Sequence, residues 1–292
     1  MNLLFLTVLC LILFASNSIL CRSALAIWEM EPYLYVAIRS LSATMMLVFL
    51  CSTRIIRSRV SQDNTSSVWK QMVEESSWIA ALALFVYMLT FSLSYVRMPS
   101  AVGILICNFS VQATMIGWSV YCGISPKRLQ WIGLTVSIVA FIILVSPGLT
   151  SPPLWNSILM LICGMAWSVY SIVGRKAQSA SLATAGNFLR CIPFALAAGT
   201  IGLVTEDPPQ TRALACALAS GALASGCGYI VWYTIVPRYS IVCSSIIQLT
   251  VPIITALLAL LLLDEVITLR FIVCSTFILG GIYMVIVGAN RS

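Results

Sequence analysis

The apolar residues of this chain gather into ten runs. Each is about as long as a helix needs to cross a bilayer core of about 30 Å at about 1.5 Å per residue. The runs are 3–20, 33–51, 78–95, 99–121, 129–146, 154–173, 182–204, 213–236, 239–263 and 269–288. Only the stretch 52–77 forms a long polar loop; the other connections are short turns. The pattern predicts an all-α integral membrane protein with ten transmembrane helices and no room for a separate soluble domain. The first run, MNLLFLTVLCLILFASNSIL, lacks the basic start and small-x-small cleavage site of a signal peptide. It is expected to be the first permanent span. Its Ser18-Ile19-Leu20-Cys21 is a poor lipidation site because a large leucine precedes the cysteine.

The polar positions inside the runs are more informative than the apolar ones. The ninth run carries Ser244, Ser245, Gln248 and Thr250 in its first half and Pro252 at its centre, with Asp264 and Glu265 at its rim. Polar groups at membrane depth are costly and face a cavity or another helix. Pro252 removes one backbone hydrogen bond and is expected to kink this helix beside Gln248.

The chain also repeats. A slide of 140 residues pairs Ser100 with Ser240, Asn108 with Gln248, Val111 with Val251, Leu129 with Leu269 and Ile132 with Ile272. At nearby offsets Phe14, Asn17, Ser18 and Cys21 fall on Trp167, Tyr170, Ser171 and Gly174, and Arg39 falls close to Arg190. Two five-span repeats follow, residues 1–147 and 152–290. An odd number of spans inserts the second repeat upside down relative to the first. Inverted repeats are a transporter arrangement, with the substrate site near the midplane where the halves meet.

Composition agrees. Of 292 residues, 60% are hydrophobic and 9% charged, with mean hydropathy +1.02, against roughly a quarter charged in soluble domains. A net charge of +7 could suggest nucleic acid, but the basic residues lie between spans, so no nucleic-acid partner is expected. With the N-terminus inside, the inner set is Arg54, Arg57, Arg59, Lys70, Lys127, Arg128, Arg175, Lys176, Arg238 and Arg291. The outer set is Arg22, Arg97, Arg212 and Arg270, so the count is ten to four. This bias places both termini in the cytoplasm. The sequon Asn64-Thr65-Ser66 would then face the cytoplasm too. The eleven cysteines lie mostly within apolar runs without a CxxC pair and read as small packing residues.

Within the spans, four kinds of residue are candidates for function. The stripes Phe14/Asn17/Ser18/Cys21 and Trp167/Tyr170/Ser171/Gly174 each occupy one helical face; packing between helices is the competing reading, above all for Asn17. Asn108 and Gln248 supply amides at matching depths, able to orient a zwitterion or an amide. Tyr229 shares a face with Tyr233, while Trp232 and Tyr233 also suit an interfacial aromatic belt. Arg39 and Arg190 are the charges well inside spans. Arg39 either snorkels to the surface or serves as a fixed charge that holds a helix end or attracts a substrate carboxylate. The small residues Ala217, Gly221, Ser225, Gly280 and Gly281 mark faces of close helix packing. No Asp or Glu lies inside a run, and histidine is absent. A carboxylate for ion coupling is therefore missing from the interior, and Glu265 at the rim is the remaining candidate. No metal-ligand cluster, nucleophile–base pair or phosphate-binding loop is present in the sequence, so neither an enzyme nor a cofactor is expected.

The stretches GYIVWYTIVPRYS (228–240), IIQLTVPIITALLALLLLDE (246–265) and AWSVYSIVGRKA (166–177) resemble the ten-helix EamA-type branch of the drug/metabolite transporter superfamily. FASNSILCRSAL (14–25) and AIRSLSATMM (37–46) resemble its first-half pattern. The likeness spans essentially the whole chain, and its eighth-to-ninth-helix stretch is most similar to amino-acid exporters of this branch. It implies inverted five-helix repeats around a central cavity and a role as an inner-membrane exporter of small metabolites. Two departures bear on substrate identity: Gly123-Ile124-Ser125-Pro126 replaces the acidic residue expected after the fourth helix, and Phe14 replaces the tryptophan of the first.

The reading is a multi-pass exporter, both termini cytoplasmic, of small organic metabolites such as amino acids, working by alternating access as a uniporter. Substrate-binding residues are Asn17, Asn108, Trp167, Tyr170, Tyr229 and Gln248; Arg39, Arg190, Pro252 and Glu265 have charge or gating roles. The expected partners are a small organic molecule and the lipid bilayer, with homodimer formation left open. The alternatives are a broad efflux protein for drugs or organic cations, and a membrane scaffold or sensor without transport.

Overall fold

The computed structural model describes residues 2–58, 66–123, 125–148, 151–175, 177–205, 208–239 and 241–289. The sequon at Asn64, together with Arg59, Ile124, Lys176, Ser240 and Arg291, lies outside them, as do the side chains of Arg54, Arg57 and Ser245. Helices follow the apolar runs: α1 (Leu3–Arg22), α2 (Pro32–Ser58), α3 (Ser66–Glu75), α4 (Trp78–Tyr95), α5 (Ser100–Tyr121), α6 (Arg128–Val145), α7 (Leu154–Gly174) and α8 (Ala180–Thr205). Then come α9 (Thr211–Ala219), α10 (Gly228–Ile235), α11 (Ile241–Gln248), α12 (Val251–Leu262) and α13 (Leu269–Ala289). Wider π-helical turns, Ser23–Ile27 and Ser220–Cys227, prolong α1 and join α9 to α10. Among the described residues nine helical stretches are long and apolar enough to cross a membrane. The tenth span is α11 and α12 together.

Prolines set several starts. Pro32 opens α2, where a missing N–H costs nothing, and Pro99 and Pro153 precede α5 and α7. The amphipathic α3, not anticipated from the apolar pattern, lies in the loop between the second and third spans.

The inverted repeat is written into the packing. α2 lies against α8 and α6 against α13, so each of these helices meets its own counterpart. The contact of α4 with α7 is answered by that of α10 and its π-helical turn with α1. Likewise α5 on α7 is answered by α12 on α1. The large apolar side chains Leu4, Met45, Phe49, Leu82, Ile142, Leu203 and Leu261 are exposed on the outside, as in a protein solvated by lipid.

The small-residue stripe on the eighth span works by close approach. A Cβ on Gly221 would collide with Ser42 Oγ and the Arg39 carbonyl oxygen. Only glycine lets the π-helical turn reach the backbone of α2 there, and Ala217 and Ser225 are buried on the same side. Of the glycine pair, Gly281 packs on Gly133 and Ser137 of α6, whereas Gly280 faces open space.

The ninth span is not the single helix its length suggests. α11 ends at Gln248 and α12 begins at Val251, with Leu249 and Thr250 in a tight turn. Leu249 and Thr250 donate their N–H groups three residues back, to the carbonyl oxygens of Ile246 and Ile247, at 3.0 and 3.1 Å. Pro252 has no N–H to give the carbonyl of Gln248, four residues before it. The expected kink is therefore a break, one turn ahead of the proline.

Candidate functional site

Between the halves lies a cavity of about 540 Å³. Its floor and walls are aromatic. Phe14 of α1, Trp167 and Tyr170 of α7, and Tyr229, Trp232 and Tyr233 of α10 line it, with Thr184 and Asn187 of α8 and Gln248 at the helix break. The rings brace one another: Trp167 stacks on Tyr229 at 5.9 Å between centroids, Tyr229 on Tyr233 at 6.3 Å, and Phe14 tilts against Tyr229 and Trp232 at 6.0 Å each. Tyr170 and Thr184 share a hydrogen bond of 2.9 Å, and the Thr184 hydroxyl donates to Tyr233 Oη at 3.2 Å.

A second chamber of about 100 Å³ adjoins the first deeper in the protein. Phe14, Val111, Trp167, Tyr229 and Gln248 line both and form the neck. Beyond it the chamber is walled by Asn17, Ser18, Asn108 and Ser225 together with Tyr87, Phe91 and Ile104. All six residues read from the sequence as substrate-binding therefore line this pair of spaces: Asn17 and Asn108 the small one, Tyr170 the large one, Trp167, Tyr229 and Gln248 both. Asn17 also ties helices together, because its Oδ1 accepts a 2.7 Å bond from Ser220 Oγ.

The helix break gives Gln248 its special place. Its side chain is exposed although it lies midway along a span. Irregular backbone at membrane depth is tolerated where it lines a water-filled cavity. The amide and the carbonyl released by Pro252 lie at one point of the neck.

The cavity opens toward the ends of α5, α7 and α13 and the starts of α6 and α8, where Ser119, Gly174, Ala289, Gln130 and Ala180 line it. That face also carries the N-terminus, since Thr7 near the start of α1 hydrogen-bonds Tyr239 at 2.8 Å, in the turn before α11. The opposite face is shut. There Glu265 accepts from the Ser100 N–H at 2.8 and 3.1 Å and from Ser100 Oγ at 3.1 Å, capping α5. Arg22 Nε stands 3.5 Å from Glu265, and Arg22 Nη1 donates to the carbonyls of Tyr95 and Val96 at 2.9 and 2.8 Å. Asp264, in the left-handed conformation at φ 52°, ends α12 and turns Glu265 toward α5. One carboxylate thus ties the ends of α1, α4, α5 and α12 together.

The two interior arginines have different environments, although their positions match in the repeat. Arg190 is half-buried; it donates to the Val73 carbonyl of α3 at 2.9 Å and lies 5.3 Å from the ring centre of Trp78. Arg39 is wholly buried, which rules out snorkelling. Its guanidinium lies over Phe91 at 5.2 Å and Tyr87 at 5.9 Å, and Nη2 meets Ser225 Oγ at 3.5 Å. Nε and Nη1 have no hydrogen-bond partner. An arginine at the centre of a membrane span costs about 2.5–3.5 kcal/mol on an insertion scale, and a desolvated cation–π contact returns about 2 kcal/mol.

The sequence left Trp232 and Tyr233 open between the face of Tyr229 and an interfacial belt. Both face the cavity, and Trp232 is only 9% exposed. The four-residue spacing from Tyr229 to Tyr233 carried that signal. Thr184 and Asn187 of α8 and Tyr87 and Phe91 of α4 were missed. They too sit three or four residues apart on one face.

Two inverted halves closed around an aromatic, amide-lined cavity in an apolar bundle define a polytopic membrane transporter. The chain belongs to the EamA-like transporter family, whose sequence model matches residues 154–287. It is 34% identical over 287 residues to an uncharacterized protein of Pseudomonas aeruginosa, covering 97% of this chain and 94% of that one. It is 28% identical over 152 residues to an uncharacterized transporter of Archaeoglobus fulgidus, 48% of this chain and 51% of the other. A solved crystal structure superposes with a TM-score of 0.65 over 98% of this chain and 97% of its own, at 16% identity, a likeness of fold.

Proposed function

We propose that this protein exports small organic metabolites, amino acids foremost, across the bacterial inner membrane by alternating access. The observation that carries the reading is the cavity of about 540 Å³, open at one face and closed at the other by the Arg22–Glu265–Ser100 cluster. Indole and phenol rings suit an apolar body, and the amides of Asn108 and Gln248 suit a polar head. With the ten-to-four charge bias placing both termini inside, the cavity faces the cytoplasm. That is the state in which an exporter loads.

The transport step is proposed to run down the substrate's own gradient. A proton carrier inside a span needs a group that titrates near neutral pH. Histidine is absent from the chain, and every Asp and Glu lies outside the apolar runs. Reference values of about 10 for tyrosine and 8.5 for cysteine lie well above that range.

Purified protein in proteoliposomes is expected to equilibrate a radiolabelled neutral amino acid such as L-phenylalanine. It should give no uphill accumulation when a pH gradient is imposed with equal substrate on both sides and the potential clamped. Absence of flux for amino acids and organic cations alike would leave a scaffold or sensor. Accumulation that vanishes in Glu265→Gln would move coupling to the rim. Orientation is tested separately. In a cysteine-free background, single cysteines at positions 210–212 should react with an impermeant maleimide from outside, and those at 54–70 should not. The reverse pattern overturns the assignment.

A further inference from the structure

Resting on that transport reading, we infer that the small chamber is an anion subsite and that the preferred substrate is a carboxylate. Its acidic group would enter the chamber while its apolar body stays among the rings. The argument begins with charge. Arg39 is completely buried, and two of its three guanidinium nitrogens lack a hydrogen-bond partner. The ion pairs among the described residues are Arg22–Glu265 and Lys70–Glu74, so no carboxylate there answers Arg39. A buried cation without a counterion is an unfinished arrangement, and proteins complete it with an anion or with hydrogen bonds.

Three side chains against the guanidinium, Tyr87, Phe91 and Ser225, are themselves walls of the chamber. Arg39 therefore stands directly behind the chamber as a fixed charge, in a region of low dielectric where such a charge acts strongly. The walls supply neutral donors. Asn108, Gln248 and Ser18 offer amide or hydroxyl hydrogens. Asn17, whose oxygen is taken by Ser220, retains its NH2 group. Among the described residues no Asp or Glu lines either space, and the one charged residue lining the larger cavity, Arg175 at its mouth, is again positive.

Size separates the two ends of the substrate. About 100 Å³ admits a head group of a few heavy atoms, while a ring fits the outer cavity of about 540 Å³. An organic cation would meet the same field as repulsion. Arg39 is a positioning residue here, acting through the chamber wall and leaving contact to the amides and hydroxyls.

The test uses a matched pair that differs only in charge, 3-phenylpropionate and 3-phenylpropionamide. Binding to purified protein is read by quenching of tryptophan fluorescence, since Trp167 lines both spaces. The carboxylate is expected to bind at least about tenfold more tightly than the amide. The ratio should fall to about one in Arg39→Gln and persist in Arg39→Lys, whereas a purely structural arginine would leave it unchanged in every variant that folds. Equal affinities in the wild type, a ratio unmoved by Arg39→Gln, or binding of neither probe overturns the inference, and the wild-type ratio decides even if Arg39→Gln fails to fold. Carboxylate preference without flux of any solute would sink the transport reading instead. Flux with a preference for the amide or for a cation would sink the anion subsite alone.

Discussion

Replacing Gln248 with leucine is expected to lower substrate flux by about 10- to 100-fold and to move the thermal midpoint by no more than a few degrees. A hydrogen bond to a charged ligand group contributes about 1.5–3 kcal/mol, and each 1.4 kcal/mol is about tenfold. The loss should stay confined to function because the Gln248 side chain is exposed to the cavity. Leucine fills similar space and leaves no buried protein partner stranded. Asn17→Leu makes the contrast. It would strand Ser220 Oγ, whose 2.7 Å bond to Asn17 is buried, and is expected to reduce folded protein as well as flux. Flux per reconstituted molecule and the midpoint followed by size-exclusion after heating separate the two. Wild-type flux in Gln248→Leu would remove the helix break from the substrate path.

Much of this architecture could be read from the sequence, because in lipid the backbone must satisfy itself within each segment. Ten apolar runs joined by short turns leave little but a helical bundle. The inverted repeat was visible in paired positions such as Asn108 and Gln248, and the polar stripes on α1 and α7 marked the cavity. What the sequence hid depends on partners far apart in the chain. Glu265 was visible as an acid at a rim, but not as the cap of α5, since Ser100 lies 165 residues away. The environments of Arg39 and Arg190 could not be told apart. The difference comes from α3, which covers Arg190 and belongs to the one long loop of the first half. The break before Pro252 was foreseen as a kink. It is sharper because the residue robbed of its donor sits a full turn before the proline.

The asymmetry between the halves leads to the last prediction. α5 and α12 both end on a left-handed residue, Gly123 at φ 79° and Asp264 at φ 52°. After Asp264 comes Glu265, which closes the far face. After Gly123 the chain carries no acid before Pro126. Arg175, which occupies in the repeat the place of Arg22, lines the cavity mouth instead. The far face thus has an electrostatic latch for which the mouth has no counterpart among the described residues. Glu265→Gln removes the ion pair and weakens the helix cap, together about 1–3 kcal/mol after allowing for partial exposure. A two-state equilibrium should shift by about 5- to 100-fold toward the form open on the far side. With a single cysteine at Asn108 in an otherwise cysteine-free chain, an impermeant maleimide applied from the far side should react at least about fivefold faster in Glu265→Gln than in wild type. Lys70→Gln, which breaks the exposed Lys70–Glu74 pair, should leave that rate unchanged. Equal rates in Glu265→Gln and wild type would mean that packing alone holds the far face shut. The carboxylate would then serve α5 only as a helix cap.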